Sequence, residues 1–191
     1  MLSKEATGKI IVIVAPSGTG KSTLIKRLKD DFPILLESVS YTTRSIREGE
    51  TNGKSYFFVS KDDFLEMKSK DEFLEWALVH GNYYGTSKSF VSQKLEEGEF
   101  ILFDLDVQGT DSFKDYFGDK ANVIFIAPPS VEVLEQRLRG RGTESEESLQ
   151  VRLTNARNEL KRQDDFDFKI INDDLERAYK DLKNIVTRIL G

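Results

Sequence analysis

Residues 15–23 form a segment whose composition and spacing suit one chemical task, the capture of phosphate groups. In order they are Ala15, Pro16, Ser17, Gly18, Thr19, Gly20, Lys21, Ser22 and Thr23. A glycine-rich turn at the start of a helix directs backbone N–H groups at a bound anion, and the helix dipole adds positive potential. The pattern predicts a phosphate-binding loop (P-loop) for a nucleoside triphosphate, with Lys21 on the β- and γ-phosphates and Ser22 on Mg²⁺.

The general P-loop pattern has glycine where this chain has Ala15, and a chance match is the alternative interpretation. Alanine can adopt the required extended conformation if its φ stays negative, so we expect the turn to form. The context argues against chance, because residues 9–15 form an apolar, β-branched run and an amphipathic helix follows at 22–31. The loop therefore predicts a triphosphate donor and leaves the acceptor open.

Apolar runs that alternate with helical patterns predict the architecture that must position this loop. We expect strands at 100–105, 122–127 and 166–171, and helices at 131–139, 149–160 and 175–189. This alternation is typical of a parallel sheet covered on both faces, so we predict an α/β fold with a three-layer α/β/α core. The segment from about 38 to 90 breaks the alternation. It has short strands at 56–59 and 73–77 with a helix between them that Ser60 caps, which predicts a small mixed lobe.

Several further segments share residue types and spacing with one known family. They are residues 38–47 (SVSYTTRSIR), 49–50 (GE), 52–58 (NGKSYFF), 75–77 (EWA), 81–86 (GNYYGT) and 104–109 (DLDVQG). In order and spacing they resemble the guanylate kinases, and the likeness extends from the strand before the P-loop to Asn172 and Asp173. It implies a single P-loop kinase domain over 1–191. Its parts would be a core (1–37 and 98–191), a GMP-binding insertion (about 38–90) and a short helical lid (about 137–152).

The resemblance implies a GMP site formed by Ser40, Arg44, Arg47, Tyr56, Glu75, Tyr84, Thr86, Asp104, Asp106 and Gly109. Glu75 is the candidate reader of guanine, because a carboxylate accepts hydrogen bonds from N1–H and the N2 amine at once. By the resemblance, Ser40 donates to O6 and Asp106 lies near the base. Adenine lacks these adjacent donors and would leave Glu75 partly unpaired. The alternative interpretation of Glu75 is a solvated strand residue.

Arg44, Arg47, Tyr56 and Tyr84 are expected to hold the phosphate of the acceptor. The guanidinium fork of arginine matches phosphate oxygens, and tyrosine hydroxyls add neutral donors. The alternative interpretation of the two arginines is an exposed surface loop, since arginine is usually exposed.

A second arginine-rich segment, residues 137–141, resembles the lid of the family, and Arg152 follows on the next helix. Phosphoryl transfer needs in-line positioning and positive charge more than covalent help from the protein. The expected catalytic residues are therefore Lys21, Arg44, Arg141 and Arg152.

Four other residues near these segments have narrower expected roles. By the resemblance, Arg137 contacts the donor nucleotide and Asn172 lies near its adenine. Arg139 is interpreted as a solvated helix end, which the helix dipole favours. Asp104 ends a buried strand, where an acidic residue commonly orients Mg²⁺, and we expect it to act through water.

Together these features predict transfer of the γ-phosphoryl group of ATP to GMP, and to dGMP, giving ADP and GDP with Mg²⁺ as cofactor. This would be an essential step in guanine nucleotide synthesis and recycling. Two alternatives are a non-catalytic guanylate-kinase-like module that binds proteins, and a kinase for another acceptor such as AMP or a ribosyl phosphate. The presence of Lys21 and Arg44 argues against the first. Glu75 argues against the second, because a sugar phosphate has no donor edge for it to bind.

The amino-acid composition argues against several other classes of protein. The 191 residues include no cysteine, which excludes disulfides and thiolate metal sites, and the net charge of −5 argues against general nucleic-acid binding. No apolar run approaches the roughly 18 residues of a membrane span, and the first residues lack the apolar segment of a signal peptide. We therefore expect a cytoplasmic protein without membrane or nucleic-acid partners, of open oligomeric state. His80 is interpreted as a structural residue, and Trp76 as a core residue.

Overall fold

Two β-sheets organise the residues that the computed structural model describes, 8–79, 81–105, 107, 109–140 and 146–191. The strands are β1 (Lys9–Val14), β2 (Leu35–Glu37), β3 (Tyr41–Thr42), β4 (Phe57–Phe58), β5 (Phe73–Val79), β6 (Asn82–Ser87), β7 (Phe100–Leu105), β8 (Ala121–Ala127) and β9 (Phe168–Ile171). The helices are α1 (Lys21–Asp31), α2 (Lys61–Ser69), α3 (Lys88–Glu96), α4 (Gly109–Phe117), α5 (Val131–Arg139), α6 (Glu146–Leu160) and α7 (Leu175–Leu190). None of the helices in these described ranges is long and apolar enough to cross a membrane.

The larger sheet is wholly parallel and has the strand order β2-β7-β1-β8-β9. Because its five strands run the same way, their carboxyl ends meet at one edge, where open α/β sheets bind ligands. This edge carries the P-loop after β1, Asp104 near the end of β7 and Asn172 after β9. The topology therefore gathers residues that are far apart in the sequence.

Helices cover both faces of this sheet and produce the predicted three-layer α/β/α core. Alternate residues of β1 point to opposite faces. Ile11 and Ile13 pack with α1 and α7, whereas Ile10, Val12 and Val14 pack with α3 and α4. All of these side chains are fully buried. A strand buried on both faces is expected to be continuously apolar, so the predicted buried strand before the P-loop is confirmed.

The smaller sheet lies within the segment predicted to form a small mixed lobe, and its strand order is β4-β3-β6-β5. β3 pairs in parallel with β4, and the β3–β6 and β5–β6 pairs are antiparallel. On this sheet α2 packs through Phe64, which is fully buried and stacks on Phe73 and Tyr83 at centroid distances of 4.4 and 5.2 Å. Ser60 caps this helix as predicted, since its hydroxyl accepts a hydrogen bond from the backbone N–H of Asp63.

The structure departs from the sequence-based predictions in its short elements and in one aromatic residue. The predicted strand at 166–171 begins at Phe168, and β4 is shorter than the predicted 56–59. Strands of two or three residues, such as β2 and β3, show too little periodicity to be predicted. The interpretation of Trp76 as a core residue is wrong. It lies on the edge strand β5, is 44% exposed, and has the Lys68 ammonium 3.5 Å from its ring centroid.

Candidate active site

The P-loop connects β1 to α1 and forms a turn. Gly18 and Gly20 both have a φ of 93°, in the left-handed region that favours glycine. Thr19 closes the turn, because its backbone N–H and its hydroxyl donate to the carbonyl of Pro16 at 3.3 and 2.9 Å. Ala15 has a negative φ, as the turn requires of a residue with a Cβ atom. The replacement of glycine by alanine at this position therefore leaves the loop conformation intact.

Helices α5 and α6 pack against this loop. Their facing sides form a separate buried apolar cluster of Leu134, Leu138, Leu149, Leu153 and Ala156. A Cβ atom at Gly18 would lie 2.8 Å from the side chain of Leu138, so glycine is needed for this close approach. From α6, Arg152 donates to the hydroxyl of Ser17 at 3.1 Å. Residues 15–23 and Glu159 line a cavity of about 330 Å³.

Lys21, the first residue of α1, reaches back to the end of β7. Its ammonium group donates to the carbonyl of Leu105 at 3.0 Å and forms an ion pair with Asp104. The register of the parallel strands sets Ile13 of β1 opposite Asp104, which brings the two partners to the same edge. Lys21 lines the P-loop cavity and Asp104 lines a second cavity, so this ion pair lies where the two cavities meet.

The second cavity has a volume of about 570 Å³ and lies between the two sheets. Its lining includes Ser40, Tyr56, Glu75, Thr86, Asp104 and Gly109. Glu75 on β5 is half-buried, and its carboxylate accepts a 2.7 Å hydrogen bond from the hydroxyl of Thr86 on β6. Thr86 is 2% exposed, so this bond holds the carboxylate in a fixed position. A fixed carboxylate in a cavity wall is suited to accept hydrogen bonds from adjacent N–H groups of a ligand.

Ser38 contributes a hydroxyl to the same cavity, and sequence reasoning assigned it no role. Its Oγ atom is buried and has no hydrogen-bond partner among the described residues. Buried polar groups are nearly always paired, so a hydroxyl of this kind in a cavity wall suits a polar ligand. Ser38 lies two residues before Ser40 and just after β2, and this spacing from a predicted site residue is the signal that could have identified it.

Arg44 is held by acidic and aromatic neighbours. Its guanidinium donates to the Glu50 carboxylate at 2.6 Å and to the carbonyl of Ser45 at 2.8 Å. The group also lies 5.4 Å from the ring centroid of Tyr56, and the ring of Tyr56 lies 5.9 Å from that of Tyr84. The hydrogen bond with Glu50 raises the pKa of Arg44, and it lowers the pKa of Glu50. The structure thus brings Arg44, Tyr56 and Tyr84 together beside the larger cavity.

Glu50 also fixes the backbone of the loop that carries Arg47. The N–H of Arg47 donates to the second carboxylate oxygen of Glu50 at 2.8 Å, and the N–H of Glu50 donates to the carbonyl of Arg47 at 3.1 Å. The side chain of Arg47 is exposed. Glu50 appeared in the sequence motif without a role, and its spacing of three residues from Arg47 is the signal that could have revealed it.

Two arginines at the end of α5 have different surroundings. Arg137 donates to the backbone carbonyl of Asn172 at 2.9 Å, close to the P-loop. Arg139 is exposed, as predicted for a solvated helix end, but it also joins α5 to α6. Its guanidinium bonds Glu135 at 2.9 Å and both carboxylate oxygens of Glu146 at 2.7 and 2.9 Å.

The predicted site residues that the structure describes lie around two adjoining cavities. The P-loop cavity has Lys21 in its wall, with Arg137, Arg152 and Asn172 close to the loop. The larger cavity has the Glu75 carboxylate in its wall and the Arg44 cluster beside it. His80, Asp106 and Arg141 lie outside the described residues. One cavity is suited to a polyanion, and the other to a ligand with an N–H donor edge and an anionic group.

Known proteins are similar to this chain in both sequence and fold. The family model described as guanylate kinase matches residues 7–189. A guanylate kinase of Nitratidesulfovibrio vulgaris is 48% identical over 182 residues, which cover 95% of this chain and 87% of that protein. A guanylate kinase of Neisseria meningitidis serogroup A is 47% identical over 185 residues, covering 97% and 90%. The crystal structure of guanylate kinase from Anaplasma phagocytophilum has a TM-score of 0.65 and 32% identity, covering 96% of this chain and 87% of that one.

The Arg139–Glu146 pair predicts a pH-dependent contribution to stability. Hydrogen bonds, first from Arg139 and then from Gln150, lower the pKa of Glu146 from 4.5 to about 2. A carboxylate with a depressed pKa stabilises the folded state above its unfolded pKa, and this contribution is lost as the pH falls toward the folded pKa. Glu146→Gln should therefore lower the urea midpoint of unfolding at pH 7. The difference in midpoint from the wild type should shrink as the pH is lowered from 4.5 to about 2.

The matched control is Glu147→Gln, because Glu147 is the exposed neighbour of Glu146 on the same helical turn. The pair is solvent-exposed, so salt at about 0.5 M should reduce the effect of Glu146→Gln. Equal shifts for the two variants, or a shift for Glu146→Gln that is unchanged at low pH, would show that the pair makes no specific contribution.

Proposed function

This chain belongs to the guanylate kinase family, and we infer that it transfers the γ-phosphoryl group of ATP to GMP, giving ADP and GDP. The observation that carries this function is the pair of cavities that meet at Lys21 and Asp104. Phosphoryl transfer depends on holding donor and acceptor in line, and adjoining cavities at one sheet edge provide that arrangement. A module that only binds other proteins would not need it.

For the donor, we propose that the backbone N–H groups of the P-loop and the ammonium group of Lys21 bind the triphosphate of ATP. Lys21 would exchange its ion pair with Asp104 for contact with the β- and γ-phosphates. Arg137 and Asn172 lie beside the loop, where the nucleoside part of ATP would extend. The proposed ATP-binding set is Ala15, Pro16, Ser17, Gly18, Thr19, Gly20, Lys21, Ser22, Thr23, Arg137 and Asn172.

Mg²⁺ is the metal that we propose for the reaction, and the residues present fit it. The described part of the chain has no group of three or more His, Asp or Glu side chains that would hold a metal. Mg²⁺ is usually bound by one or two protein oxygens together with waters and substrate phosphates. Ser22, exposed in the first turn of α1, would supply its hydroxyl, and Asp104 would act through water. The ion would neutralise charge on the β- and γ-phosphates.

For the guanine of GMP, we propose that the Glu75 carboxylate accepts hydrogen bonds from N1–H and the N2 amine. Thr86 supports this role because its hydroxyl already holds the carboxylate in the cavity wall. Ser40 would donate to O6, and Gly109 and Asp104 would complete the wall. Asp106 is proposed beside the base on the family resemblance alone. Because these contacts engage the base and leave the sugar free, we expect dGMP to be accepted as well.

For the phosphate of GMP, we propose the cluster of Arg44, Arg47, Tyr56 and Tyr84. Arg44 is already oriented by its bond to Glu50 and by the ring of Tyr56, so little rotamer freedom is lost when phosphate binds. The side chain of Arg47 is exposed and would close onto the phosphate. A guanidinium presents paired donors that match two phosphate oxygens.

In the transfer step, a phosphate oxygen of GMP forms a bond to the γ-phosphorus of ATP. The bond from that phosphorus to the β–γ bridging oxygen breaks, and ADP leaves with its electron pair. We propose that Lys21, Arg44 and Arg152 stabilise the charge that spreads over the transferred group. Arg152 approaches from α6 through its bond to Ser17, and Arg44 approaches from the acceptor side. Arg141, outside the described residues, is proposed as a fourth cation.

We further propose that the GMP-binding insertion (about 38–90) and the helical lid (about 137–152) move against the core. The insertion contains the smaller sheet and its aromatic core, and the lid contributes Leu138 and Leu149 to the separate apolar cluster of α5 and α6. Units with separate cores can move as rigid bodies. Closure over both nucleotides would exclude water, which would otherwise accept the phosphoryl group of ATP.

Replacement of the P-loop lysine tests the donor half of this function. Lys21→Met removes the cation proposed for the β- and γ-phosphates, so kcat should fall by at least about 10²–10³-fold, measured as ADP formation with MgATP and GMP. Lys26→Met is the matched control, because Lys26 is exposed on the same helix. Near-normal turnover of a folded Lys21→Met variant would show that the P-loop assignment is wrong.

Replacement of the proposed guanine reader tests the acceptor half. Glu75→Gln keeps the size of the side chain but sets an N–H group against one donor of the base. KM for GMP should rise about 10- to 100-fold, as expected for the loss of a charged hydrogen bond, while KM for ATP stays unchanged. Glu96→Gln, at an exposed position of α3, is the control. An unchanged KM for GMP would exclude Glu75 as the reader of the base.

A further inference from the structure

Asn172 is a buried polar residue at the edge of the larger sheet, directly after β9. It is 4% exposed. Its backbone N–H donates to the carbonyl of Ala127 at the end of β8 at 2.8 Å. Its side-chain amide Nδ2 donates to the carbonyl of Thr19 in the P-loop at 2.6 Å. One residue therefore connects the ends of two strands to the middle of the phosphate-binding loop.

The P-loop backbone at Gly20 leaves space for this amide. Gly20 has a φ of 93°, and a Cβ atom built on it would lie 2.7 Å from Nδ2 of Asn172. Real Cβ atoms do not approach another heavy atom so closely, so the Asn172 amide occupies space that only glycine leaves. The steric fit and the hydrogen bond are two separate observations that place the same amide against the same peptide unit.

The backbone carbonyl of Asn172 also connects this part of the site to Arg137, which is proposed to bind ATP. Arg137 of α5 donates from Nη2 to the carbonyl of Asn172 at 2.9 Å. Asn172 thus bonds β8, the P-loop and α5 through three of its polar groups. These hydrogen bonds hold each partner in place, because breaking any one of them would leave a buried polar group unpaired.

We propose that Asn172 is a positioning residue that sets the orientation of the Thr19–Gly20 peptide unit. In a trans peptide the C=O and the following N–H point in opposite directions. When Asn172 holds the Thr19 carbonyl, the N–H of Gly20 points away from Asn172, and Gly20 lines the P-loop cavity. A flipped peptide would present a carbonyl oxygen to the phosphates and repel them. Asn172 therefore controls the affinity of the loop for a triphosphate, whatever base that triphosphate carries.

This role differs from a contact with adenine, which the family resemblance suggested for the same residue. It rests on the proposed function only in taking a triphosphate as the ligand of the P-loop. A contact with adenine would affect ATP alone. A peptide-orienting role affects ATP and inorganic triphosphate equally, because both present the same phosphate chain to the backbone N–H groups.

The test measures the dissociation constants of MgATP and of magnesium-bound inorganic triphosphate by titration calorimetry, without GMP. Asn172→Ala should weaken both ligands by the same factor, about tenfold, as expected for one buried hydrogen bond. Asn172→Asp keeps the shape of the side chain but replaces the donor with a negative oxygen, and it should weaken both ligands further. KM for GMP should stay unchanged in both variants, which a general structural defect would not allow.

The matched control is Asn122→Ala, because the Asn122 amide also donates to a strand carbonyl, that of Ile10 at 3.3 Å, at the opposite end of the sheet. It should leave both dissociation constants unchanged. A loss confined to MgATP, or equal affinity of wild type and both Asn172 variants for inorganic triphosphate, would overturn the proposal. Turnover of GMP by the wild-type protein is measured separately, so failure of the proposed function would be recognised independently of these binding results.

Discussion

The parallel pairing of β1 with β7 is the constraint on which the rest of the site depends. Its register sets Ile13 opposite Asp104 and Val14 opposite Leu105, so the chain that leaves β1 enters the P-loop beside the acidic end of β7. Lys21, in the first turn of α1, therefore reaches Asp104 and the carbonyl of Leu105 at the end of β7. This pairing places the Lys21–Asp104 ion pair between the two cavities. We propose that closure of the insertion and the lid brings the donor and acceptor phosphates into line there.

Neighbouring residues hold the side chains that are proposed to bind the two nucleotides. Thr86 holds Glu75 by a 2.7 Å hydrogen bond, and Glu50 holds Arg44 by one of 2.6 Å. We propose the same relation between Asn172 and the P-loop. A group that is fixed before its ligand arrives loses little side-chain entropy on binding, so more of the interaction energy appears as affinity or as catalysis. In this family member, the supporting contacts come from neighbouring strands and loops whose positions follow from the two sheets.

Sequence patterns identified the features of this site that are local in the chain and missed those that depend on tertiary contact. The P-loop follows a buried strand and Ser60 caps a helix, and both signals lie within a few residues. Glu75 was identified through the family resemblance, because an isolated acidic residue on a strand is usually solvated. The bond from Asn172 to Thr19 joins positions at opposite ends of the chain, and Trp76 is exposed because it lies on an edge strand. No local pattern encodes either arrangement.

The acceptor specificity of the enzyme depends most directly on whether one carboxylate reads both donors of guanine. IMP keeps N1–H and O6 but lacks the N2 amine, so it differs from GMP by a group that only Glu75 is proposed to bind. The decisive measurement is kcat/KM for GMP and for IMP with saturating MgATP. A site built around the guanine donor edge should favour GMP by at least about 10²-fold, because IMP lacks the amine that would donate the second hydrogen bond to the Glu75 carboxylate. Comparable kcat/KM values for the two nucleotides would contradict the central role of Glu75.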